Sequence, residues 1–291
     1  MTALPKPDMA LKQFFQDNRI FTDFFNAVLF QGQQILKADE LQEVNTEYSV
    51  AVTKENKIQN IHKQRDLIRK AALGAQFILC GIENQDKIHY SMPVRNMLYD
   101  ALEYTEQCQK IAAEQDSYKG WTVDEFLSGM PKGTKLFPCF TIVVYYGEAV
   151  WDGPKNLAEM LQTEERLQPY IQNYMVNLVE VRLGMNGLPF ENEDLRALFT
   201  MLHDIYEKVE SEQEYKPKIA KLAGILTRTP KIYQMAEKGE CVKVCKAWQE
   251  MEDKARQEGR RKEKIQIAKV MLNRQMLDIE QISICTGLTV D

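Results

Sequence analysis

Apolar positions along the chain follow two different periods. Leu11, Phe14, Phe15, Phe21, Phe24, Phe25, Val28 and Leu29 recur at helical spacing across residues 8–30. They predict two short helices joined around Asp17-Asn18, with the phenylalanines turned to a core. Residues 37–60 are polar and weakly patterned, with Asp39, Glu40, Glu43 and Glu47, and read as a loop leading into the first strand. The period then changes. Phe77-Ile78-Leu79-Cys80-Gly81-Ile82 is a continuous apolar run that closes on Glu83-Asn84-Gln85. It reads as a buried strand, with residues 65–70 as its antiparallel partner.

A helix is predicted from about Ser91 to Glu114, with Ser91 as N-cap and Pro93 in the first turn. Val94, Met97, Leu98, Ala101, Leu102 and Thr105 make its apolar face, while Arg95, Tyr99 and Glu103 stack at i,i+4 spacing on another. Residues 115–135 read as a loop holding a short amphipathic piece, broken by Gly129, Pro131 and Gly133. Phe140 to Tyr146 is a second β-branched and aromatic run, suited to a strand covered on both faces. Strand, helix and strand in succession predict two parallel neighbours. Trp151-Asp152-Gly153-Pro154 is a turn, a helix follows near Leu157–Leu161, and Tyr174, Val176, Leu178 and Val179 favour one more strand.

From Asn192 the pattern is helical. Leu195, Leu198, Phe199, Leu202, Ile205 and Tyr206 form one stripe; Ile219, Leu222, Ile225 and Leu226 form another. A long polar helix is expected over Val242–Met276, then a short one closed by Gly287. That last segment resembles the opening of a helix-turn-helix, but no recognition helix follows it, so a DNA-reading unit is not expected there. The chain thus reads as an α/β core over residues 8–185, a helical subdomain packed on it over 186–240, and a polar helical tail over 241–291.

Composition narrows the class. A chain of 291 residues with 44% hydrophobic content can bury one sizeable core plus an appendage. It has no apolar stretch of bilayer length and no signal-peptide pattern, so the expectation is a cytoplasmic protein without a membrane partner. The formal net charge of −5 counts mildly against a DNA partner. Lys254, Arg256, Arg260, Arg261, Lys262 and Lys264 cluster near the C-terminus, but Glu258 and Glu263 interrupt them, and a solvated face with ion pairs explains them equally well. Cys241 and Cys245 have i,i+4 spacing without a second ligand pair, so zinc is not expected. His62, His89 and His203 lack metal-ligand spacing, and the G-x-S-x-G and phosphate-loop signatures are absent.

The candidate chemistry lies at the end of the apolar strand. Side chains alternate along a strand, so Glu83 and Gln85 share a face while Asn84 points away. Across the hairpin, Asp66 can lie beside them. Two carboxylates held together repel each other and favour a hard divalent cation between them.

This D…E-x-Q arrangement resembles the PD-(D/E)xK nuclease superfamily, with Gln85 in place of the final lysine. Arg65-Asp66, Gly81-Ile82-Glu83-Asn84-Gln85, Met92 to Leu102, Val143-Val144-Tyr145-Tyr146-Gly147 and Trp151 to Leu157 resemble, in order and spacing, the PD-(D/E)xK family transposases related to recombination-promoting nucleases. The resemblance covers residues 8–180 well and the remainder loosely. It implies a restriction-endonuclease-like core, a mixed central sheet flanked by helices, with a helical C-terminal region. It also implies hydrolysis of DNA phosphodiesters with Mg2+ or another divalent cation, in a recombination or mobile-element setting. In that reading Asp66 and Glu83 hold the metal and Gln85 positions water. Arg95 and Tyr99 contact DNA phosphate or sugar. Asp8 corresponds to a supporting acid. A relative without catalysis, binding nucleic acid or structural in role, stays open, as do a nuclease acting on RNA and self-association into a homo-oligomer.

Overall fold

The phenylalanine stripe builds the first layer. In this computed structural model, which describes residues 4–44, 47–54, 57–64, 66–73, 76–114, 120–273 and 278–287, it forms helices α1 (Pro7–Phe15) and α2 (Asn18–Phe30). The Asp17 side chain caps α2 by accepting from the Arg19 N–H at 2.9 Å. Phe21 and Phe25 stack with ring centroids 4.7 Å apart, and Phe15, Phe24 and Phe25 are fully buried.

Residues 37–60 are not the loop expected from sequence. A short 3-10 turn, Ala38–Glu40, leads to β1 (Gln42–Glu43), and then β2 (Glu47–Lys54) pairs antiparallel with β3 (Lys57–Gln64) from Glu47↔Gln64 to Lys54↔Lys57. Val50, Val52, Thr53, Ile58 and Ile61 are strand formers, but polar residues dilute them. A ribbon of this composition lacks the continuous apolar run that marks a buried strand.

The expected hairpin follows as β4 (Leu67–Leu73) and β5 (Gln76–Gln85), paired from Leu67↔Ile82 to Leu73↔Gln76. Then come α3 (Met92–Ala113), α4 (Val123–Ser128) and β6 (Cys139–Tyr145). β6 lies parallel to β5, from Leu79↔Cys139 to Gln85↔Tyr145, as the strand–helix–strand order requires. β7 (Asn177–Glu180) adds in parallel to β6, closing a mixed five-stranded sheet in the order β1-β4-β5-β6-β7. The helix expected near residues 157–161 is a single 3-10 turn, Ala158–Met160.

The C-terminal region holds α5 (Glu193–Tyr206), β8 (Glu214–Tyr215), α6 (Pro217–Leu226), α7 (Pro230–Glu237), β9 (Val242–Lys243), α8 (Val244–Asn273) and α9 (Ile279–Thr286). One apolar cluster runs through these layers. It joins Phe24 of α2, Ile78, Cys80 and Ile82 of β5, Phe199 of α5, Leu222 of α6 and Ala247 of α8. β5 therefore buries its even-numbered positions against α1, α2 and the C-terminal helices. Its odd positions face α3, where Leu79 meets Ile68, Cys139 and Tyr104.

α3 corrects the face assigned from sequence. Leu102 of the expected apolar stripe is buried, but Val94 and Met97 are 41% and 37% exposed, and Asn96, Tyr99, Asp100, Glu103 and Gln107 are buried as well. Polar pairing explains the difference. Thr141 on β6 donates to Asp100 Oδ1 at 2.9 Å, and the Tyr174 hydroxyl donates to the other oxygen. Gln107 accepts from the Phe137 N–H at 2.7 Å and donates to its carbonyl at 3.1 Å. Ser91 precedes α3 but makes no side-chain cap, its hydroxyl lying 3.3 Å from His89 Nδ1 instead.

Candidate active site

The sheet register carries the site. Leu67↔Ile82 is the last ladder pair, so Asp66, in the bend before β4, falls opposite Glu83. The Asn84 N–H fixes it there, donating to Asp66 Oδ2 at 2.7 Å. Burial pushes the Asp66 carboxyl above its ordinary range. The Asn84 hydrogen bond opposes that rise, Asp8 adds to it, and Lys12 and Arg95 oppose it.

Glu83 is fully buried, and Arg95 reaches it from the first turns of α3, with Nη2 3.1 Å from Oε2. Arg95 Nε also donates to the Tyr99 hydroxyl at 3.3 Å, and its guanidinium stands 5.6 Å from the centre of the Tyr99 ring. Burial of the guanidinium tends to lower its pKa, but Glu83, Tyr99 and Asp66 turn the net shift upward. Burial, then Glu83, raises the Tyr99 phenol. His89 nearby is lowered by burial and by Arg95. The cation thus stands within the field of both carboxylates, in the place where a metal ion is expected from sequence.

Asp8 enters from the first turn of α1 and accepts a short hydrogen bond from the Tyr146 hydroxyl at the end of β6. Burial, then this contact, raises the Tyr146 phenol, with Asp86 and Asp66 adding to the shift. Gln85 continues the Glu83 side of the strand; its carbonyl accepts from the Tyr146 N–H at 3.0 Å, and its side chain is half-buried. Asp66, Glu83, Arg95, Tyr99 and Asp8 are therefore gathered at the carboxyl end of β5, Asp8 from the α1 side of the sheet and Arg95 and Tyr99 from the α3 side, with Gln85 one pleat further on. Arg65 lies outside the described residues.

Sequence reasoning missed Asn84, Lys12 and Tyr146. Asn84 does point away from Glu83, yet its N–H orients Asp66. Its side chain is 5% exposed, and neither amide atom has a hydrogen-bond partner among the described residues. A polar residue near the end of an apolar strand is the signal that could have marked it. Tyr146 carried no such signal, since its role depends on a contact 138 residues away.

The donor set suits a divalent cation in kind. Asp66 and Glu83 offer hard oxygen. Among the described residues no three His, Cys, Asp or Glu side chains converge on one point. One or two carboxylates completed by water and a substrate phosphate is the usual magnesium arrangement, so two acids suffice. No helix among the described residues is long and apolar enough to cross a membrane. Comparison with family models, curated proteins and solved structures gave no match to the chain.

Proposed function

We propose that this protein is a metal-dependent DNA endonuclease of the PD-(D/E)xK type, acting in recombination or on a mobile element. The observation that carries the reading is the opposition of Asp66 and Glu83 at the carboxyl end of β5, held by the Asn84 N–H and bridged electrostatically by Arg95. The mixed sheet flanked by helices is compatible with a restriction-endonuclease-like core.

In this reading Asp66 and Glu83 hold Mg2+, which polarises the scissile phosphate and eases deprotonation of the attacking water. Gln85, a neutral donor and acceptor, positions that water. Arg95 exchanges its carboxylate for a phosphate oxygen of DNA, a contact suited to its planar fork. Tyr99 braces the guanidinium. Asp8, held by Tyr146, keeps the edge electronegative beside Asp66.

A second reading, a noncatalytic nucleic-acid-binding relative, draws on the same contact. A guanidinium bonded to Glu83 neutralises the acid without any metal. Incubating pure protein with supercoiled plasmid, with and without magnesium, separates the two. Metal-dependent nicking or linearisation supports the nuclease; retardation of the plasmid without cutting at any metal concentration favours the binder.

A further inference from the structure

We propose that the cavity at the carboxyl ends of β5 and β6 holds one phosphate-bearing nucleotide unit next to the bond being cut. This rests on the nuclease reading and adds to it a second site that the carboxylates do not provide. The cavity measures about 280 Å³. Asp86, Lys87 and Gly147 contribute from the strand ends, Lys208 from beyond α5, Arg228 and Thr229 from the α6–α7 junction, and Trp248 from α8.

Backbone conformation singles out two of the cations. Lys208 and Arg228 have φ of 51° and 53°, the left-handed region that favours glycine. Each reverses the chain after a helix: Val209 N–H bonds to the Asp204 carbonyl at 2.9 Å, and Thr229 N–H to the Gly224 carbonyl at 2.8 Å. Glycine is the usual residue at such a position. Of the four non-glycine residues with positive φ among the described residues, the other two are Gln31 and Asn186, so both basic ones line this cavity. Attraction to the helix carbonyls also favours a cation at such a helix end. Both basic side chains sit where the backbone favours glycine.

Arg228 is held at the rim by Asp86, 2.8 Å away. Lys87 and Lys208 make no ion pair among the described residues. Lys87, Lys208 and the Thr229 hydroxyl suit a phosphate, Arg228 being paired with Asp86 and Glu148 being the other acid of the lining, while Ile205, Leu226 and the Trp248 indole give apolar wall for a sugar and base. Tyr146 lines this cavity and also donates to Asp8 beside Asp66. Asp86 and Lys87 of the lining directly follow Gln85 in the chain, so the cavity adjoins the end of the sheet that carries the carboxylates, on the face opposite the Glu83 side chain.

The test is titration of the whole protein, in chelator, with a nucleoside 3′,5′-bisphosphate, read by calorimetry and by tryptophan fluorescence. Saturable binding near or below about 1 mM is expected, with inorganic phosphate and the unphosphorylated nucleoside both weaker. Lys208→Gly should weaken binding about tenfold while leaving the melting temperature unchanged or higher, because glycine suits that φ. No saturable binding, equal binding of inorganic phosphate, or an unaltered affinity in Lys208→Gly would overturn the inference. Failure here is separable from failure of the nuclease reading. Magnesium-dependent plasmid cleavage without bisphosphate binding removes the cavity site alone. Bisphosphate binding sensitive to Lys208→Gly without cleavage removes the nuclease and leaves a nucleotide site.

Discussion

Arg95 Nη2 lies 3.1 Å from Glu83 Oε2, joining a fully buried carboxylate to a guanidinium whose side chain is 33% exposed. This contact sets a positive charge against Glu83 at the end of β5. Arg95→Ala would leave Glu83 buried without its cation. Breaking a buried pair costs ~3–5 kcal/mol, and the partial exposure of Arg95 places the expected loss nearer ~2 kcal/mol. Magnesium should restore part of that loss by mass action if the ion takes the place of the guanidinium. Urea unfolding of the variant with and without magnesium reads both effects. A destabilisation that magnesium does not relieve would leave Arg95 as a structural partner only.

Asp66 and Gln85 separate charge from water positioning. Asp66→Ala should lower metal-dependent cleavage by at least about a hundredfold, because several kcal/mol of charge stabilisation is expected and ~1.4 kcal/mol is tenfold. Gln85→Ala should cost less. Gln85→Lys restores the superfamily residue and should keep or raise the rate. Magnesium heats in Glu83→Ala complete the set, since that variant should bind no metal. Full cleavage by Asp66→Ala would place the chemistry elsewhere.

The carboxylate pair was legible in the sequence because alternation along β5 and an antiparallel hairpin leave little freedom in where Asp66 can fall. The Phe14 to Phe25 stripe and the Phe140 to Tyr146 run were legible for the same reason, each showing a single clear period. The buried side of α3 was not. Burial there is set largely by Asp100, Gln107 and Tyr104 meeting groups on β6 and the segment before it, so hydrophobicity found Leu102 but misplaced Val94 and Met97. The β2–β3 ribbon was missed because its strand formers are interleaved with polar residues. Contacts such as Asp8 with Tyr146 join distant segments and have no local trace.

The polar attachment of α3 can be measured. Asp100 accepts from Thr141 and Tyr174, and Thr141 is 3% exposed. Asp100→Ala leaves those hydroxyls without their acceptor and should cost ~2 kcal/mol. The expected readout is a lower urea midpoint at unchanged slope. Because α3 carries Arg95, cleavage should fall as well. A midpoint equal to that of the parent would show that the apolar contacts of Leu79 and Ile68 alone seat the helix.

Glu125 gives a pH test away from the site. It accepts from the Thr122 N–H and from the Lys132 N–H, each at 2.8 Å, closing the turn around α4. The Lys132 and Thr122 hydrogen bonds hold its carboxyl down at about 2. A depressed acid stabilises the folded form above its unfolded pKa, and that contribution is lost as pH falls through the folded value. The Lys132 amide should therefore stay protected at pH 4 and lose protection only as pH approaches about 2. Hydrogen exchange at that amide checks it, with Glu125→Gln as control; loss of protection already near pH 4.5, the ordinary glutamate value, would contradict the turn.

DNA binding has two competing loci. Arg95 shares the carboxylate edge, and bonds to phosphate carry no base information, so Arg95→Ala should weaken unrelated DNA sequences alike. Removing one cation from a DNA phosphate also reduces the slope of log affinity against log salt by about one unit. On α8, Arg256, Arg260, Arg261, Lys262 and Lys264 are all exposed and form the alternative. Neutralising Arg260, Arg261, Lys262 and Lys264 together leaves the sheet edge intact. If DNA lies across the carboxylates, Arg95→Ala flattens the salt dependence and the α8 variant changes it little. The opposite pattern would mean that α8 holds the DNA, and that Arg95 stays paired with Glu83 in the DNA-bound state.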